Sequence, residues 1–177
     1  VDVLAKIGYA PESAYLNKSL SGRENLRLFA ALSRLPAEGR EERVAVMLDR
    51  MGLSKAADRP LSEYSKGMLQ RASLAQALIH EPELVVLDEP ITGLDPLAIK
   101  EVRALILWLK GKGKTVLFSS HDISEVEKVC DRIGILSGGR LAKVLDADQW
   151  RGKPDTLETV FAATVTRTDG VGEIRLD

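Results

Sequence analysis

Cysteine is almost missing from this chain. Its single example, Cys130, has no partner for an internal disulfide, which excludes a disulfide-stapled scaffold. A surplus of either charge is missing too: 25 Lys+Arg stand against 26 Asp+Glu, a formal net charge of −1. That balance argues against gripping nucleic acid by bulk charge. The longest apolar run near the middle, Ala104 to Leu109, is far too short to cross a bilayer as a helix. There is no internal repeat and no low-complexity tract. The chain starts at Val1 instead of Met and reads as a fragment or a processed chain, so the lack of a leader says little about its parent. Finally, the phosphate-wrapping pattern G-x-x-x-x-G-K-[ST] is missing. Gly113-Lys114-Thr115 is the one Gly-Lys-Thr, but Trp108 stands where the first glycine belongs, and the segment precedes a strand instead of opening a helix.

What is there suffices for a packed core of about one domain, with 177 residues, 45% hydrophobic and 29% charged. Lys6 to Ala10 reads as a short strand ended by Pro11. Ser21-Gly22-Arg23-Glu24 is a capping box, and Leu28, Phe29, Leu32 and Leu35 then share one helical face. A second helix carries Val44, Met47, Leu48 and Met51 and stops at Gly52; a third follows Ser65 with Met68, Ala72, Ala75 and Ile79 in line. From there the period changes. Leu84-Val85-Val86-Leu87 is a continuous apolar run, expected to be a strand buried on both faces. Asp95-Pro96 starts a helix with Ile99, Val102, Ile106 and Leu109 facing inward. Thr115 to Ser119 is the next strand, and Asp122 to Cys130 a short helix presenting Ile123, Val126 and Cys130. Ser137-Gly138-Gly139-Arg140 is a hairpin turn between Ile133–Leu136 and Leu141–Val144. Small capped helices are expected beyond, to about Ala163. Strand–helix alternation after residue 80 predicts an α/β sheet, and residues 14–79 a separate helical lobe.

Three segments carry chemistry. Leu84–Leu87 ends in Asp88-Glu89-Pro90, which puts two carboxylates at the sheet's C-terminal edge, where α/β ligands sit. Strand alternation would point them apart, one toward a hydrated Mg²⁺ and the other toward a water. Ser65-Lys66-Gly67-Met68 opens the third helix with a hydroxyl, free amides and a glycine, the makings of a phosphate site, although the tetrapeptide alone is also an ordinary capped helix. His121 leaves the sheet at the same edge as Asp88 and Glu89. His80 reads as a plain structural histidine.

In this order and spacing, the motifs closely resemble the ATP-binding subunit of an ABC transporter, over nearly the whole chain. Tyr64-Ser65-Lys66-Gly67-Met68-Leu69-Gln70-Arg71 is similar to the family's signature motif, and Leu84–Pro90 to its Walker B strand with the catalytic glutamate. Gly93-Leu94-Asp95-Pro96 resembles the D-loop, Ser119-Ser120-His121-Asp122 the switch histidine, and Ile7-Gly8-Tyr9-Ala10-Pro11-Glu12 falls where the Q-loop belongs. Two departures stand out. Glu12 replaces the usual Gln, a variant resembling exporters of the ABC-2 and drug-resistance type, and adds negative charge beside Asp88 and Glu89. Tyr64, Lys66 and Met68 replace Leu, Gly and Gln of the commonest signature, while Ser65 and Gly67 are retained.

The resemblance implies an α/β P-loop NTPase core with a helical subdomain, incomplete at its N-terminus, the phosphate loop lying upstream of Val1. It divides the chain into core (1–13), helical subdomain with signature (14–79), core (80–145) and a C-terminal helical extension (146–177). It implies hydrolysis of ATP to ADP and phosphate, with the present piece inactive alone. Asp88, and Glu12 beside it, would meet Mg²⁺. Glu89 would act as general base on the attacking water, and His121 would contact the γ-phosphate. Ser65, Lys66 and Gly67 would face the nucleotide held by a second ATPase subunit, homologous or identical, and Asp95 would link the two sites. The partner implied is a transmembrane permease that chooses the cargo and meets the helical lobe, which places the subunit in the cytoplasm on the inner face of the membrane. A non-transport ATPase of the same family acting on DNA or ribosomes is the alternative. The 52 residues between Glu12 and Ser65 exclude the long coiled coil of the repair type, and balanced charge disfavours nucleic acid. A non-catalytic module is the remaining reading, should the phosphate loop be truly absent.

Overall fold

Residues 3–152 and 157–169 are described by the computed structural model. The chain divides into two compact units, Val1–Ser120 and His121–Asp177.

In the first unit three short parallel strands form a sheet in the order β1 (Ile7–Ala10), β2 (Leu84–Leu87) and β3 (Thr115–Phe118), with Ala10, Leu87 and Phe118 in register. Three helices intervene between β1 and β2: α1 (Gly22–Leu32), α2 (Arg40–Arg50) and α3 (Lys66–Leu78). A fourth, α4 (Pro96–Gly111), makes the crossover from β2 to β3. The helices start and stop where their caps say they should. Ser21 Oγ accepts from the Glu24 amide at 3.2 Å while Glu24 Oε2 accepts from the Ser21 amide at 2.8 Å, closing the capping box. Helix α2 ends as expected at Gly52, where the Leu53 amide donates to Leu48 O at 2.8 Å and the Gly52 amide to Asp49 O at 2.8 Å. Asp95 Oδ1 caps α4 by accepting from the Leu97 and Ala98 amides, both at 2.9 Å.

Helix α1 buries a different face from the one expected from Leu28, Phe29, Leu32 and Leu35. Gly22, Asn25, Leu26 and Ala30 are buried, whereas Leu28 and Leu32 are 45% and 65% exposed. The small residues decide this. At Gly22 the helix lies so close to Tyr64 that a Cβ would overlap Tyr64 Oη, itself anchored on Ala56 O at 2.7 Å. The buried Asn25 is satisfied by donating Nδ2–H to Gln76 Oε1 at 3.2 Å. Helices α2 and α4 follow the expected stripes, with Val44, Met47 and Leu48, and Val102, Ile106 and Leu109, buried.

Strand β2 is likewise not buried on both sides. Val85 and Leu87 are sealed, while Leu84 and Val86 are half-buried. Helix α3 covers the sealed side at β1, where Ala77 and Pro82 close over Gly8, and α4 packs on β3. The other side aligns Tyr9, Val86 and Leu117 across the three strands, with Tyr9 and Leu117 more than half exposed. His80 plays the structural part expected of it, donating from Nε2 to Ile7 O at 3.1 Å.

The second unit contains α5 (Ile123–Val129), the antiparallel pair β4 (Arg132–Ser137) and β5 (Arg140–Asp146), and α6 (Leu157–Asp169). The turn at Gly138-Gly139 has φ of +56° and +72°, the primed-turn geometry that suits a two-residue hairpin. Ile135, Leu145, Trp150 and Leu157 form the core, with Ile123, Val126 and Cys130 packed against it as the helical pattern predicted. Of the expected extension at 146–177, residues 153–156 and 170–177 lie outside the described residues.

Candidate functional site

The sheet register builds the site. Because β1, β2 and β3 run parallel and end level, the residues that follow them emerge at one edge: Pro11-Glu12 after β1, Asp88-Glu89 after β2, and Ser119 after β3. The Asp88 amide extends the ladder to Ala10 O at 2.9 Å, and the Ser119 amide extends it to Leu87 O at 3.0 Å. Both carboxylate-bearing residues, Asp88 and Glu89, are half-buried; Glu12 is exposed.

Pleat alternation does not orient this pair, contrary to the expectation. Strand β2 ends at Leu87, and Glu89 has φ of +45°, a left-handed conformation that costs a non-glycine residue ~1–3 kcal/mol and persists only where its surroundings enforce it. Hydrogen bonds from Ser119 and Thr92 are part of those surroundings. The Glu89 amide donates to Ser119 Oγ at 2.8 Å, Ser119 Oγ donates to Asp88 Oδ1 at 2.7 Å, and Thr92 Oγ1 donates to Glu89 Oε2 at 2.8 Å. The turn is closed further by the Thr92 amide on Glu89 O at 3.2 Å.

Helix α3 approaches the same loop. Ser65 Oγ accepts from the Met68 amide at 3.3 Å as the helix cap. The buried Gln70 donates Nε2–H to Pro90 O at 3.1 Å, tying α3 to the turn that follows Glu89. Lys66 reaches the loop from the helix start: its ammonium lies against Gly93, where a Cβ would overlap it. Arg71 and Glu101 join α3 to α4 at 3.1 Å. Asp95 is spent in part on capping α4.

The first unit therefore gathers Glu12, Asp88 and Glu89 at one sheet edge, with Ser65, Lys66, Gly67 and Asp95 on the helix start and loop that border it. His121 opens the second unit. Next to it, Asp122 caps α5 by accepting from the Glu125 amide at 3.1 Å, and its carboxyl is held below its ordinary range by the Ser124 hydroxyl first and the Glu125 and Ser124 amides after it. Thr92, Ser119 and Gln70 received no role from the sequence. Ser119 was within reach: a residue one past the end of β3 must stand beside the residue one past the end of β2.

The donor set suits one metal class. Mg²⁺ is held by one or two carboxylates together with phosphate oxygens and water, not by a cage of protein ligands. Among the described residues no three His, Cys, Asp or Glu side chains form such a cage, while Asp88 offers a hard oxygen donor whose orientation Ser119 fixes.

Comparison with known proteins gives the arrangement a family. The pattern described as ABC transporter matches residues 2–92. An uncharacterised ABC transporter ATP-binding protein of Nostoc sp. is 48% identical over 153 residues, covering 85% of this chain and 46% of that protein. The bacitracin transport ATP-binding protein BcrA of Enterococcus faecalis is 38% identical over 146 residues, covering 82% of this chain and 46% of its own length. The chain thus spans about half the length of the curated relatives it matches. A solved ATP-binding subunit of an ABC transporter superposes with a TM-score of 0.80 at 30% identity, over 90% of this chain and 68% of that one. The α/β P-loop NTPase fold expected from the motifs is borne out, and the chain belongs to the ABC transporter family.

Proposed function

We propose that the protein carrying this chain hydrolyses ATP to ADP and phosphate and uses the cycle to drive a transmembrane permease. The observation that carries this reading is the Asp88–Glu89 pair at the C-terminal edge of the parallel sheet, oriented by Ser119 and Thr92. Asp88 would hold Mg²⁺, with Glu12 at the neighbouring strand end. When bound, that ion supplies charge neutralisation for the phosphates. Glu89 takes the proton of the attacking water as general base, and the Thr92 hydroxyl on Oε2 holds that carboxylate in one orientation. His121 contacts the γ-phosphate.

Ser65, Lys66 and Gly67 open α3 and would face the nucleotide of a second ATPase subunit, with the helix amides, a hydroxyl and an ammonium available to phosphate. Asp95, on the loop that Lys66 touches, links the two sites. In this arrangement residues 14–79 form the helical lobe that meets the permease. The exposed apolar pair Leu28 and Leu32 on α1 supports such a contact. The subunit sits in the cytoplasm against the membrane's inner face; among the described residues no helix is long and apolar enough to cross a membrane. BcrA is named for bacitracin transport, which supports transport of an antibiotic-like cargo.

Trapping tests the proposal. In the whole protein, Glu89→Gln keeps the side chain's size but removes the base, so the variant should retain ATP and run as a dimer on size exclusion. Failure of Glu89→Gln to retain ATP or to dimerise in its presence removes Glu89 from that role.

A further inference from the structure

Ser119 received no role from the sequence, yet its hydroxyl touches the Asp88 carboxylate and the backbone of Glu89. Its hydroxyl has one proton and two lone pairs. The Glu89 backbone N–H, 2.8 Å away, can only donate, so Ser119 Oγ accepts there and its own proton is left for Asp88 Oδ1 at 2.7 Å. The direction of both bonds is therefore fixed by chemistry. One oxygen of Asp88 is occupied as an acceptor, and the backbone of Glu89 is pinned in its left-handed conformation, φ +45°. Ser119 is itself anchored by the ladder, through its amide on Leu87 O at 3.0 Å. Its hydroxyl bridges the strand end that carries the carboxylates and the strand that leads on toward His121.

We infer that Ser119 is a positioning residue which orients the Asp88 carboxylate toward a divalent cation and sets the backbone from which Glu89 projects. This inference rests on the proposed ATPase reading and adds to it a residue that acts through two others. Hydrogen-bond partners of metal-binding carboxylates typically matter by about 10–100-fold in metal affinity. An apolar side chain in place of Ser119 removes both bonds at once, whereas threonine keeps the hydroxyl.

The test compares wild type, Ser119→Val, Ser119→Ala and Ser119→Thr in the whole protein, with two readouts besides turnover. The first is binding of Mn²⁺ in the presence of ATP, followed by electron paramagnetic resonance. The second is hydrogen exchange at the Glu89 amide by NMR, measured without nucleotide. The expected result is that Val and Ala weaken Mn²⁺ binding by about tenfold or more and accelerate Glu89 exchange, while Thr restores both. Unchanged Mn²⁺ affinity in Ser119→Val, or unchanged Glu89 exchange in Ser119→Ala, overturns the inference and leaves the ATPase reading standing. A wild-type protein that binds no Mn²⁺ with ATP overturns both together.

Discussion

Glu89 holds the most constrained backbone in the site. A glutamate with φ of +45° is kept there by the Ser119 hydroxyl on its amide, and its carboxylate is kept in one orientation by Thr92. Strained residues held by several bonds cluster where chemistry needs pre-organisation. Thr92→Val preserves shape but removes the hydroxyl from Glu89 Oε2. Hydrogen bonds to charged groups are worth ~1.5–3 kcal/mol, so the turnover rate of the whole protein should fall by about tenfold or more with little change in KM for ATP. An unchanged rate would show that Thr92 does not orient the base. Asp88 and Glu89 were legible in the sequence because an apolar run ending in two acids has few other uses. Thr92 was not, because a hydroxyl in a turn has many uses and only the three-dimensional neighbours choose among them, whereas Ser119 could have been placed from the strand ends alone. The pleat argument failed for the same reason: β2 stops at Leu87, and the turn that follows sets the direction of Glu89.

Among the helices, α1 shows how packing overrules size. Its capping box was legible residue by residue, and its buried face was not. Leu28 and Leu32 stay outside, while the helix turns Gly22, Leu26 and Ala30 inward and lies at Gly22 directly against Tyr64. Gly22→Ala should therefore destabilise the chain by ~1–3 kcal/mol, the usual cost of forcing atoms into a filled space. Gly111→Ala, with open space around it, should cost nothing measurable. Urea titration of the two variants checks this, and equal stabilities would mean that α1 can move away from Tyr64. Strand β2 carries the complementary lesson. Leu-Val-Val-Leu fits a strand covered on one side as well as one covered on both, because the apolar run itself is the same, and only the placement of α3 and α4 decides which. Helices α2 and α4 were readable because the residues expected to line up, Val44, Met47 and Leu48 and Val102, Ile106 and Leu109, are the ones buried, although Val46, Leu97, Leu107 and Trp108 stay exposed.

For the molecule as a whole, motif order did more than any single motif. Five short segments, each with an ordinary structural explanation, together resemble one family, whose pattern matches residues 2–92, and the parallel register brings the strand-borne ones to a common edge. On the proposed reading, the apolar surface that α1 leaves outside, Leu28 and Leu32, would seat the permease. Leu28→Asp with Leu32→Asp should leave ATP binding intact and abolish co-purification with the permease. Retained association would place the contact elsewhere on the lobe. On the proposed reading the carboxylate pair that follows β2 carries out ATP hydrolysis, and phosphate release reads that activity out. The whole protein, assembled with its permease and supplied with Mg²⁺ and ATP, should release phosphate steadily, and Glu89→Gln should lower that rate by about 10²–10⁴-fold, the range that general-base catalysis contributes. Release by Glu89→Gln at the wild-type rate would mean that the carboxylate pair does not carry out hydrolysis.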